Sequence, residues 1–116
     1  MISSYRYIHC KSCLIVSVSS VLQMPDPMVL VVDRMHAAAQ HFAIIDFLRP
    51  VSLTDILIPP CSSLASLSVY SWQDDQTEKE ARHIVTSSDV NLKALILTDV
   101  IPSIKCRYLK VIFTVI

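Results

Sequence analysis

The sequence predicts an all-β domain built as an antiparallel β-sandwich. Short apolar stretches recur throughout residues 29–72, separated by Pro, Asp and Ser punctuation. No amphipathic helical pattern of useful length lies between them, which argues against parallel βαβ units. The last segment, 106–116, alternates at period two, with Leu109, Val111, Phe113 and Val115 on one face.

The elements follow in chain order. Residues 29–32 read as a strand, and Ala37-Ala38-Ala39 as a helical turn before Phe42. Residues 43–47 form a strand that Arg49-Pro50 breaks, because Pro has no N–H to give a ladder. Leu53 and residues 56–58 form the next strand, which Pro59-Pro60 ends. The two are expected to be antiparallel neighbours joined by a turn that Pro50 initiates. Residues 67–72 place Leu67, Val69 and Ser71 on one face and Ser68, Tyr70 and Trp72 on the other. A solvated hairpin loop over 73–80 precedes strands at 83–86, 94–98 and 106–116. About seven short strands at this spacing suit a sandwich or a barrel.

Residues 1–27 are set apart as a leader or tail, with 28–116 as the sandwich. Arg6, His9 and Lys11 precede the apolar run 14–18, then Ser19 and Ser20, and the segment closes at Pro25-Asp26-Pro27. This has the outline of a secretion signal, but Tyr5, Tyr7, Cys10 and Cys13 crowd the basic region. The run is too short and serine-rich to span a membrane. An extra strand or a loosely held tail is the preferred reading.

Composition narrows the function classes. A chain of 116 residues can bury a core without metals or disulfides. It is 53% hydrophobic and 17% charged, with a mean hydropathy of +0.51, so it either buries more than usual or expects neighbours. Ten basic and ten acidic residues cancel, leaving no net field to attract nucleic acid or an acidic membrane. Glycine is absent, where average usage predicts about eight. Gly-rich phosphate loops are thereby excluded. Turns must be made by Pro, Asp, Asn and Ser, or remain strained.

No residues assemble into a catalytic or metal-binding pattern. Cys10 and Cys13 form a C-x-x-C pair with no second pair at zinc spacing, and His9 is the nearest histidine. Cys61 and Cys106 read as buried free thiols, although Lys105 and Arg107 beside Cys106 could lower its pKa. His9, His36, His41 and His83 lack metal-pair spacing, and the serines lack a nucleophile-elbow motif. Asp46 and Asp55 read as hydrogen-bond acceptors that specify the fold rather than an acid–base pair. Tyr70 and Trp72 share a strand face and are the candidate ligand or partner surface; alternatively Trp72 covers the core edge while Tyr70 keeps its hydroxyl wet. No cofactor and no metal are implied.

Two resemblances extend this reading. Ile44-Ile45-Asp46-Phe47-Leu48-Arg49-Pro50-Val51, Leu53-Thr54-Asp55-Ile56-Leu57-Ile58 and Cys106-Arg107-Tyr108-Leu109-Lys110-Val111 are similar to strand units of galactose-binding-like (discoidin-type) jelly rolls. More narrowly, VLVVDRMH (29–36), DF-x-RPV-x-LTD (46–55), LIP-x-C (57–61), LASLS (64–68) with Trp72, and LI-x-x-DVIP (95–102) with Cys106 resemble one internal domain of the BRUCE (Apollon) family. These are giant BIR-containing inhibitor-of-apoptosis ubiquitin-conjugating enzymes. The resemblance covers roughly residues 28–113. It implies a jelly-roll fold, its C-terminal closure left open, in a cytoplasmic, anti-apoptotic protein of the ubiquitin conjugation pathway. The family's conjugating cysteine has no counterpart at any matched position. The implied function is a non-catalytic scaffold or protein-interaction module, not itself an enzyme, whose partners are other domains of the parent protein. Neither nucleic acid nor a membrane span is expected. The alternative is a carbohydrate- or small-ligand-binding jelly roll. Leu48 and Ser62 stand where the family pattern has Gly, so a positive φ or close packing is expected at Leu48.

Overall fold

The computed structural model describes residues 13–20, 28–31, 36 and 38–116. Seven strands follow in chain order: β1 Cys13–Ser20, β2 Met28–Val31, β3 Gln40–Ile58, β4 Leu64–Trp72, β5 Arg82–Ser87, β6 Leu95–Leu97 and β7 Ile104–Val115. All join one antiparallel sheet in the order β2-β1-β3-β7-β4-β5, and β6 pairs with β3 beyond the end of β7. Its inner face is buried, so the sheet curls over its own side chains in an all-β sandwich or barrel-like arrangement.

Strand parity sets that inner face. Leu109, Val111, Phe113 and Val115 of β7 point inward with Leu64, Leu67 and Val69 of β4. Val51, Leu53, Ile56 and Ile58 of β3 meet them, Val18 of β1 adds to the edge, and Val90 and Cys61 close one end. A hydrogen bond from the Cys61 N–H to the Val90 carbonyl, 3.0 Å, ties those two loops together. Each fully buried aliphatic or aromatic side chain contributes roughly 1.5–3 kcal/mol relative to exposure.

The structure corrects the expected break at Arg49-Pro50. Residues 43–47 and 53–58 are not antiparallel neighbours but two halves of the 19-residue strand β3. Both halves pair with β7, and the register steps from Asp46↔Tyr108 to Val51↔Cys106. Pro50 lies in that step, where the ladder asks nothing of its missing N–H. The Leu48 N–H donates to Asp46 Oδ1 at 2.8 Å inside the same excursion.

Among the described residues, three non-glycine positions adopt positive φ: Ala38 at 63°, Leu48 at 67° and Asp99 at 52°. Asp99 tolerates this region best, and its N–H donates to Asp55 Oδ1 at 3.1 Å. Asp55 is thus an acceptor that fixes the loop after β6. The positive φ at Ala38 rules out the right-handed helical turn expected there; Ala37 lies outside the described residues. The 73–80 loop is stapled by side chains instead. The Gln73 N–H donates to Gln76 Oε1 at 2.9 Å and the Thr77 N–H to Glu80 Oε1 at 3.2 Å, opening a 3-10 turn over Glu78–Glu80.

Within the segment 1–27, β1 pairs with both β2 and β3. The side chains of the C-x-x-C pair and His9, and residues 32–35, lie outside the described residues. Among the described residues, no helix is long and apolar enough to cross a membrane.

Candidate functional site

The outward faces of β3, β7, β4 and β5 form a grid of cross-strand rows. Asp46, Tyr108 and Trp72 align in one row; Ile44, Lys110, Tyr70 and His83 in the next; Phe42, Ile112, Ser68 and Thr86 in a third. Single exposed apolar residues are ordinary on any protein. Here Phe42, 62% exposed, pairs with Ile112, and Lys110 stands between Ile44, 41% exposed, and Tyr70.

Tyr70 and Trp72 lie in adjacent rows of this outward face. Trp72 is only 7% exposed and stacks on Tyr108, with ring centroids 5.1 Å apart and planes 18° from parallel. Its ring face is therefore turned to Tyr108 rather than to solvent. The Arg107 guanidinium carbon lies 5.1 Å from the centre of the Tyr108 ring. Tyr70, one row away, is half-buried and meets the His83 ring edge-on at 5.2 Å. His83 Nε2 lies 2.7 Å from Thr86 Oγ1, which is 2.8 Å from Ser68 Oγ.

A cleft of about 220 Å³ opens beside Tyr70, lined by Tyr70, Glu78, Ala81, Lys110 and Ile112. The 3-10 turn delivers Glu78 over the sheet, where its carboxylate accepts a hydrogen bond from Lys110 Nζ at 2.7 Å. The same ammonium stands 4.6 Å from the centre of the Phe42 ring. Lys110 is thus held by a carboxylate and an aromatic face together. Sequence reasoning missed Lys110, Ile112 and Glu78 as neighbours of Tyr70. The outward parity of Lys110 and Ile112 on β7 was available, but their alignment with Tyr70 depends on a register that no local signal states.

The remaining candidates serve the fold. Arg107 donates to both oxygens of Asp46, and that bond, helped by the Leu48 N–H, holds the Asp46 carboxyl below its ordinary value. Cys61 and Cys106 are both buried in the core. Burial pushes the Cys106 thiol up to about 11, overriding the basic neighbours that could have lowered it. Among the described residues, no group of three His, Cys, Asp or Glu side chains is placed to hold a metal ion.

No protein-family model matches the chain. Over 93 residues, 80% of its length, the chain is 42% identical to the dual E2 ubiquitin-conjugating enzyme/E3 ubiquitin-protein ligase BIRC6 of Homo sapiens. It has the same identity over the same span to the protein of that name in Mus musculus. The chain spans 2% of the length of these relatives.

Proposed function

The chain carries a BRUCE-family domain over four fifths of its length, and from that premise we propose that it is a non-catalytic protein-interaction module of an anti-apoptotic ubiquitin-conjugating protein. The carrying observation is the 42% identity to BIRC6 over a stretch that makes up 2% of the relative. So small a share of a large enzyme suits a domain that positions other parts. The geometry supports this reading. The two described thiols are sealed in the core, and the one beside β3 is held protonated. The outer face instead offers the exposed apolar residues Phe42 and Ile44 beside fixed charges, the composition of a protein contact. We further assign it a jelly-roll, galactose-binding-like architecture and a cytoplasmic location, as a scaffold for neighbouring domains of its parent.

The test combines two measurements on the purified chain. Incubated with ubiquitin, activating enzyme and ATP, it is expected to form no thioester, and a ubiquitin adduct on Cys61 or Cys106 would overturn the non-catalytic reading. Presented with separately purified segments of a BRUCE-family relative, it is expected to bind one saturably. Saturable binding to a glycan array with no protein binding would replace the module with a carbohydrate-binding one.

A further inference from the structure

We infer that the cleft between Tyr70, Glu78, Ala81, Lys110 and Ile112 is an anchor site for a partner protein segment presenting one apolar side chain between basic residues. This rests on the protein-interaction reading above and gives its partner a chemistry.

Size comes first. At about 220 Å³ the cleft falls below the roughly 300–1,000 Å³ of pockets that enclose small molecules, but has room for one large side chain. Its surroundings suit an apolar anchor, because Phe42 and Ile44 extend the apolar lining across the neighbouring strand. Interface energy concentrates in such pockets, with the flanking contacts serving to exclude water.

Charge fixes the flanks. Lys110 is the cation in the cleft, and Glu78 and the Phe42 ring already occupy it, so it recruits no further acid. The adjoining 73–80 loop carries Asp74, Asp75, Glu78 and Glu80 against Lys79 alone. Asp74 is among the charges that favour the charged form of Arg107. Arg107 itself is taken by Asp46. The rim is therefore net acidic and complements Lys or Arg on the incoming segment. A second copy would bring an equally acidic rim and be repelled.

The test is an NMR titration of the full chain with blocked pentapeptides. Lys-Lys-Leu-Lys-Lys is expected to shift the amides of Tyr70, Ala81, Lys110 and Ile112. Lys-Lys-Ala-Lys-Lys should bind about tenfold more weakly, and Glu-Glu-Leu-Glu-Glu should leave those amides unmoved. Glu78→Gln should weaken the basic peptide and admit the acidic one, since it frees Lys110. Ala81→Gln should fill the cleft and abolish the shifts while Leu109 and Val111 keep their native signals. Equal binding by the Ala and Leu peptides, binding of the acidic peptide to the native chain, or unmoved cleft amides overturns the proposal. Peptide shifts confined to the free edge of β5 would overturn the anchor site yet leave the interaction module standing. Glycan binding alone would overturn both.

Discussion

Arg107 on β7 grips Asp46 on β3 through two hydrogen bonds, Nε to Oδ1 at 3.0 Å and Nη2 to Oδ2 at 3.3 Å. The pair sits where the β3–β7 register steps, so it closes the ladder on one side of the irregularity. Asp46 also accepts the Leu48 N–H, so one carboxylate organises both strand and excursion.

Because this carboxyl is held below its ordinary 3.8, its contribution to stability has a definite sign with pH. The contribution is complete above the ordinary value and is lost as pH falls through the lower folded-state value. Arg107→Ala should move Asp46's titration back toward the ordinary range, as followed by its side-chain carboxyl signal. The Asp46→Asn variant should lack this part of the acid-induced loss. An unchanged Asp46 titration in Arg107→Ala would show that the two hydrogen bonds do not set it.

Leu48→Gly should stabilise the domain. A left-handed conformation costs a non-glycine residue roughly 1–2 kcal/mol, and Leu48 adopts it at φ 67°. Its side chain is 79% exposed, so little packing is lost. Glycine's greater unfolded-state freedom returns roughly 0.5–1 kcal/mol of that gain, leaving a net stabilisation of up to about 1.5 kcal/mol. The urea midpoint should rise at unchanged slope. Leu48→Val, β-branched, should lower it.

That position also shows what local patterns convey. Period-two alternation located β4 and β7 and assigned their inward residues correctly, because side-chain direction in a strand is a local property. The proline rule failed at Pro50 because it concerns only the ladder hydrogen bond, and a register step removes that demand. The cleft was harder to read still. Glu78 and Lys110 lie 32 positions apart and meet only through a loop conformation and a strand register. Trp72 was legible as an outward residue, but its burial depends on Tyr108 in the neighbouring strand.

The Cys106 thiol should be inert in the folded state. Burial pushes it up to about 11, so almost none is thiolate at pH 8, and the nearby Arg107 is already committed to Asp46. Reaction with a disulfide reagent at that pH should proceed only as fast as the chain opens. Labelling of Cys106, located by peptide mass spectrometry, should rise in step with the unfolded fraction across a urea series. Prompt labelling in the absence of urea would mean that the core around Val51 and Cys106 admits solvent.

Two phenylalanines in consecutive rows of the β3–β7 ladder, on opposite faces, give the strongest contrast. Phe113 is fully buried on β7 and stacks against His41 of β3 at 5.8 Å. Phe42, the next residue on β3, faces outward over Lys110. Truncating a buried phenylalanine leaves a cavity and removes its transfer energy, so Phe113→Ala should cost roughly 3–5 kcal/mol. Against a typical domain stability of about 5–15 kcal/mol, that loss can unfold the chain at ambient temperature. Phe42→Ala forfeits only the contact with Lys110 and some half-exposed surface, so it should cost under about 1 kcal/mol. Urea unfolding of both variants beside the native chain measures the difference. Equal losses would show that the assignment of inner and outer faces to β3 and β7 is reversed or that the outer face is itself packed.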